Sequence, residues 1–241
     1  MAEKKKKVER EFVNADDGEK SSKPARVSAA NKKRSTTKRI IAVVLWVLAL
    51  AAEVGAILIL HQTWYFDDPQ VRLYWIIGLL VVDLILVIIG AQLWKKANRL
   101  DPPSKKKGFS FFLRSQMGLI AAIICFLPLV IILLTNKDID KHSKKIAAII
   151  AVAALIIGSL LSVDWNPPSA EDLASAQATA DEYGDGMVYW TRFGKSYHLD
   201  PDCQALQNSE VIYQGTIEEA FEANRTDPCD FCALVEEAAA E

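Results

Sequence analysis

The sequence predicts an all-α transmembrane bundle of four hydrophobic helices followed by a small C-terminal α+β zinc-binding domain. Three observations predict it: four apolar runs long enough to cross a bilayer, a change to strongly acidic sequence after Val163, and His198, Cys203, Cys229 and Cys232 gathered near the C-terminus. At 241 residues and 51% hydrophobic the average composition looks globular, but apolar and charged residues are segregated into blocks. Blocks of this kind belong to a membrane protein.

Residues 1–39 hold thirteen Lys/Arg against six Asp/Glu, include Lys4 to Lys7, and contain almost no large apolar residue. This stretch is expected to be a disordered basic tail on the cytoplasmic side. Such a tail can touch anionic lipid or nucleic acid, and a solvated tail that fixes topology is the favoured reading. Ile40 to Leu60 is apolar except for Glu53, and at about 1.5 Å per residue it spans a hydrocarbon core of about 30 Å. Ala49-Leu50-Ala51 has the form of a signal-cleavage site, but the leader before Ile40 is too long and hydrophobicity resumes downstream. A retained helix is therefore expected.

The connector His61 to Arg72 carries Trp64 and Tyr65, suited to an interfacial belt, and one basic residue, so it is expected outside. Leu73 to Leu93 is a second span with Asp83 near its middle. Trp94 to Gln116 brings seven Lys/Arg, Pro102-Pro103, and Phe109, Phe111 and Phe112, which predict a cytoplasmic loop with a segment lying at the interface. Met117 to Leu134 is a third run, with Cys125 as a buried apolar filler and Pro128 predicting a kink. Ile146 to Val163 is a fourth, where Ala147, Ala151, Ala154 and Gly158 permit close helix packing.

Asp164 to Glu241 holds seventeen acidic residues against Arg192, Lys195 and Arg225. Nucleic-acid binding by this region is disfavoured, because it would repel phosphate. Pro167-Pro168-Ser169 ends the membrane region. Residues 164–186 read as an acidic, helix-prone linker, 187–233 as the zinc-binding module and 234–241 as a tail, a short fraying helix. Topology is contested within the sequence. Basic residues around the first two spans put the N-terminus in the cytoplasm, and four crossings return the C-terminus there. The lysine-rich entry and acidic exit of the last span favour the reverse, with the third run re-entering instead of crossing. Four crossings are the expectation.

In the module, Val188 to Thr191 and Tyr197-His198 read as a hairpin around Phe193-Gly194-Lys195, Val211 to Tyr213 as a further strand, and Thr216 to Glu219 as a capping box opening a helix through Ala223. His198-x4-Cys203, then Cys229-x2-Cys232, supplies two pairs of nitrogen and sulfur ligands around a foldable segment. This is a usual tetrahedral zinc arrangement. Too few apolar residues lie here to sustain a domain of this size without a metal or disulfide staple. A redox Cys-x2-Cys is the alternative, though such motifs usually open a helix in a βαβ context that is absent here.

The run from Val188 through Tyr197-His198, then Cys203-Gln204-Ala205-Leu206, then Thr216 to Ala220, then Pro228-Cys229-Asp230-Phe231-Cys232, resembles the small zinc-binding module related to the Ada-type metal-binding domain. Modules of that type are appended to bacterial nucleases and membrane proteins. The resemblance covers the module alone and implies fold and metal: Zn2+ held by His198, Cys203, Cys229 and Cys232. In the Ada repair proteins the first of four cysteines accepts a methyl group. His198 stands in the corresponding place here, so the resemblance does not extend to that activity.

No phosphate-binding loop, nucleophile elbow or His-Glu-x2-His helix is present, and three histidines leave few general bases. The leading expectation is a non-enzymatic, multi-pass bacterial protein of the cell membrane. It would contact the lipid bilayer and bind another protein through its structural zinc module. The alternative is a small proton-coupled transporter using Glu53 and Asp83. Both carboxylates lie at similar depth in antiparallel spans and neither should face lipid. Two readings follow. In one they meet and share a proton, because two like charges at close range in low dielectric cannot both stay ionised. In the other, slightly favoured, each is protonated separately or bonded to a neighbouring backbone group or subunit.

Overall fold

A computed structural model describes residues 11–14, 29–106, 108–135, 141–184 and 186–232. The tail expected at 234–241 and most of the tail expected to be disordered at 1–39 lie outside the described residues. The chain is mostly helical and forms two compact units. One comprises residues 35–98 and 106–167, the other residues 1–34, 99–105 and 168–241.

In the first unit lie four helices long and apolar enough to cross a membrane: α1 (Ala29–Leu60), α2 (Pro69–Leu100), α4 (Met117–Thr135) and α5 (Lys141–Ser162), with the short α3 (Gly108–Ser115) before α4. Each long helix begins at or before the start of its apolar run. In α1 this overturns the expectation of an unstructured chain up to Arg39, since the helix begins at Ala29. The reason is propensity: seven of the eleven residues 29–39 are Ala, Lys or Arg, good helix formers, so the hydrogen-bond ladder continues where the hydrocarbon-like sequence stops. Similarly α2 runs on through Lys95, Lys96 and Arg99.

The interior of this unit joins Ala49, Ala56, Leu80, Val87, Ala122, Phe126, Leu129 and Ala151. Small residues set the helix spacing: a Cβ on Gly90 would lie 2.5 Å from Trp46 Nε1, so only glycine lets α1 and α2 approach there. Trp46 Nε1 donates to the Val87 carbonyl at 3.4 Å. Polar side chains tie the helix ends: Trp94 and Asn98 donate to the Arg114 carbonyl at 2.8 and 2.9 Å, and Gln116 exchanges bonds with the Asp164 backbone. The outward faces carry exposed aliphatics such as Ile40, Val47, Ile131 and Ile149.

The second unit holds α6 (Ala170–Tyr183), β2 (Met187–Trp190), β3 (Ser196–Tyr197), a 3-10 turn at Gln204–Leu206, β4 (Val211–Thr216), α7 (Ile217–Glu222) and β5 (Asp227–Pro228). Its main sheet is ordered β1-β4-β2, where β1 is Glu11–Asn14. β4 pairs parallel with β1 and antiparallel with β2. A strand at 11–14 departs from the expected unstructured tail. Phe12-Val13, the one adjacent pair of large apolar residues there, is the local reason.

The expected linker is also corrected. α6 opens with a capping box in which Ser169 and Asp172 satisfy each other's backbone N–H groups. Ala176 and Ala180, one turn apart, bury against the core of Val188, Trp190, Leu206, Ile212, Ile217 and Phe221. α6 is thus part of the module's core. α7 starts at the expected capping box of Thr216 and Glu219. Gly215 beside it is obligatory, since a Cβ would fall 2.3 Å from the Glu219 carboxylate and 2.9 Å from Trp190.

Candidate metal centre

Three short elements carry the ligands. β3 and β5 pair in parallel with Tyr197 opposite Pro228, so the next residue on each strand, His198 and Cys229, emerge side by side. The Cys229 N–H donates to the Tyr197 carbonyl at 2.9 Å, and the Cys232 N–H to the Cys229 carbonyl at 3.0 Å. That closed turn brings both thiols of Cys229-x2-Cys232 to one point. On the other side the Asp202 N–H bonds to Asp200 Oδ1 at 2.8 Å and the Cys203 N–H to the Asp200 carbonyl at 3.2 Å. This turn folds Cys203 back towards His198.

The expected hairpin is present only as one antiparallel bridge: Tyr189 and His198 exchange both backbone bonds, at 2.8 and 2.7 Å. β3 spends its pairing on β5 instead, which is what carries Cys229 to His198. Arg225 braces the far side, donating to the carbonyls of Thr191, Arg192 and Ala223.

The result is a buried cluster of His198, Cys203, Cys229 and Cys232 whose ligand atoms all lie within 4.8 Å of one another. Cys203 Sγ and Cys229 Sγ are 3.9 Å apart, as are Cys232 Sγ and His198 Nδ1. A disulfide needs about 2.05 Å, and all three cysteines are free. Burial pushes the Cys203 thiol up to about 12, with the neighbouring Cys232 and Cys229 adding to it. Burial also lowers His198, keeping the imidazole neutral with a lone pair to give. A cation among the four groups reverses the cost of ionising the thiols, so the residues fit a metal ion.

Around the module, acidic residues engage the ends of other elements within the same unit. Asn31 donates to Glu218 at 2.9 Å, Arg34 lies 3.5 Å from Glu222, and Arg99 Nε donates to Asn224 Oδ1 at 2.7 Å. Lys105 bonds Glu171 through its backbone and Asp172 through Nζ, both at 2.8 Å. Burial alone would raise the Asp172 carboxyl, but hydrogen bonds from Lys105 and Ser169 outweigh it and hold the group below the usual range. Sequence reasoning passed over Asn31, Arg34, Arg99 and Lys105 as contact residues. Their one signal is the complementarity of a basic and an acidic segment.

The two carboxylates expected within the spans are both buried. Glu53 accepts a bond from the Leu129 N–H at 3.3 Å. Asp83 has no hydrogen-bond partner for either oxygen among the described residues. Comparison with known proteins adds no relative: no protein-family model, no curated protein and no solved structure matches this chain.

Proposed function

We propose that this chain is a multi-pass protein of the cell membrane that carries a structural zinc module and uses that module to bind another protein. The observation that carries the reading is the buried His/Cys3 cluster at the end of a chain with four apolar helices. Zinc with metal–sulfur bonds of about 2.3 Å holds sulfurs about 3.8 Å apart in a tetrahedron, close to the 3.9 Å between Cys203 and Cys229. Four protein ligands leave no open coordination position, which supports a structural and non-enzymatic role. The Ada-type resemblance points the same way. Phe193 and Phe231, both exposed in the module, supply aromatic contact residues for a partner.

The N-terminus and the module would both be cytoplasmic, with four crossings between them. Supporting this, residues 29–34, 99–105 and 168–241 belong to one compact unit, and an even number of crossings returns a chain to the side it left. The acidic character of the C-terminal region, which on charge alone favours the outside, is offset in part where Arg34 pairs with Glu222 and Lys105 with Asp172. A reducing compartment also suits three free thiols. Two measurements test the reading. Elemental analysis of the purified full chain should give about one zinc per chain, lost in Cys229→Ser. Reporters fused after Lys141 and after Glu241 should report outside and cytoplasm respectively, and the reversed pattern would establish a re-entrant third run.

A second reading, a proton-coupled transporter, is favoured by one specific observation: Asp83 is fully buried with both oxygens unpartnered among the described residues. Its test follows.

A further inference from the structure

Three elements of the bundle bring polar groups to one place in its interior. Glu53 comes from α1, Asp83 from α2, and Cys125 and the Leu129 N–H from α4; all three side chains are buried. Asp83 lies within the electrostatic reach of Glu53, and Cys125 within that of both. The apolar runs of the four long helices contain no Lys, Arg or His. Their other titratable groups are Cys125 and Tyr74, the latter exposed at the start of its run. α5 contributes none between Ile146 and Ser162.

The surroundings of Glu53 have a specific cause. Pro128 has no N–H and its ring crowds the preceding turn, so the ladder of α4 is weakened at that point. The next residue, Leu129, donates its N–H to Glu53 Oε1 at 3.3 Å. Glu53 therefore accepts from the backbone of α4 one residue past the proline. Neither Asp83 oxygen has a partner among the described residues. An ionised carboxyl at a helix centre costs about 2.5–3.5 kcal/mol even on insertion scales. A second carboxyl within electrostatic reach raises that cost, with no basic side chain in the apolar runs to offset either charge. What remains is a small cation, and the smallest is the proton.

We propose that Asp83 is a proton-binding site inside the bundle, its buried and otherwise unpartnered carboxyl taking up and releasing a proton that the Glu53 carboxyl influences through its charge. As a neutral acid Asp83 no longer buries an uncompensated charge. This inference rests on the membrane reading and is independent of the metal.

The test is an infrared pH titration of the full-length protein in lipid vesicles, exchanged into D2O. The wild type should show a carbonyl band of a buried carboxylic acid that falls by about tenfold from acid to alkaline buffer. Asp83→Asn should remove it, and Glu53→Gln should change the pH at which it vanishes. Sodium at constant pH should leave it unaltered. A wild-type spectrum with no titrating carboxylic acid, a band that survives in Asp83→Asn, or a band abolished by sodium would each overturn the proposal. The wild-type and sodium arms need no variant to fold. Co-flotation with the vesicles and metal content, read on the same sample, report the membrane and zinc readings separately.

Discussion

The interior of the bundle is built from Ala, Leu, Val and Phe on long helices that satisfy their own backbones, whereas the module's core is a handful of apolar side chains around four ligand atoms. In the bundle, close packing depends on small residues such as Gly90 and Ala151, and one substitution changes one contact. In the module, β3 and β5 are two residues long, too short to hold a register alone. His198 and Cys229 at their ends supply what the strands lack. Apolar length thus specifies the first region, while on the proposed metal reading a point of coordination specifies the second.

Breaking that point should give the largest effect. Changing Cys229 or Cys232 to Ser, or adding a chelator, removes folding free energy of the order of 10 kcal/mol for a structural zinc. Hydrogen exchange on the full chain should then show residues 187–232 unprotected while α4 and α5 stay protected. Loss of protection in both regions would mean that they are not separately stabilised.

Glycine substitutions sharpen the contrast inside each unit. Gly215→Ala forces a Cβ against the Glu219 carboxylate and Trp190, and should cost about 1–3 kcal/mol. It would be read as a lower chelator concentration at the unfolding midpoint. Gly78 in α2 has nothing within 4 Å of an added Cβ, so Gly78→Ala should leave helicity and thermal stability unchanged or slightly raised.

Acid separates the regions by a smaller amount. The native His198 is held below its ordinary value by burial, so below about pH 6.5 the unfolded chain binds a proton that the native chain refuses. The His198 contribution to module stability should fall as pH drops below that value, by up to about 1.4 kcal/mol per unit for this one group, on top of the pH dependence that thiolate ligation itself brings. The chelation midpoint measured across pH checks it, and a rise in stability on acidification would contradict it. The smallest effect is expected at the cap of α6. Ser169→Ala removes one half of the capping box and should cost about 1 kcal/mol. Asp172 gives the matching pH term: its depressed value contributes stability above the ordinary Asp range, lost as pH falls through it. Its partial exposure keeps that contribution small.

How much was legible follows from the same difference. The apolar runs are local signals, and all four candidate spans and the buried positions of Glu53, Asp83 and Cys125 could be read from them. The four ligands were legible because their spacing is itself the motif. What the sequence hid is non-local. The parallel pairing of Tyr197 with Pro228 involves too few residues to leave a period, and Tyr189 accordingly bridges His198 without a full hairpin. Polarity of α6 reads as a linker until Ala176 and Ala180 are seen against Val188 and Phe221. Charge blocks suggested sides of a membrane, but Arg34, Lys105, Asp172 and Glu222 are used instead to join segments far apart in the chain.

The account's central claim is that one tetrahedral zinc, bound through His198, Cys203, Cys229 and Cys232, holds the module together. X-ray absorption on the purified full chain tests it most directly. The predicted spectrum has three sulfur neighbours at about 2.3 Å and one nitrogen at about 2.0–2.1 Å, changing to two sulfurs in Cys203→Ser if the site survives. A metal-free chain whose residues 187–232 remain protected from hydrogen exchange would contradict the claim.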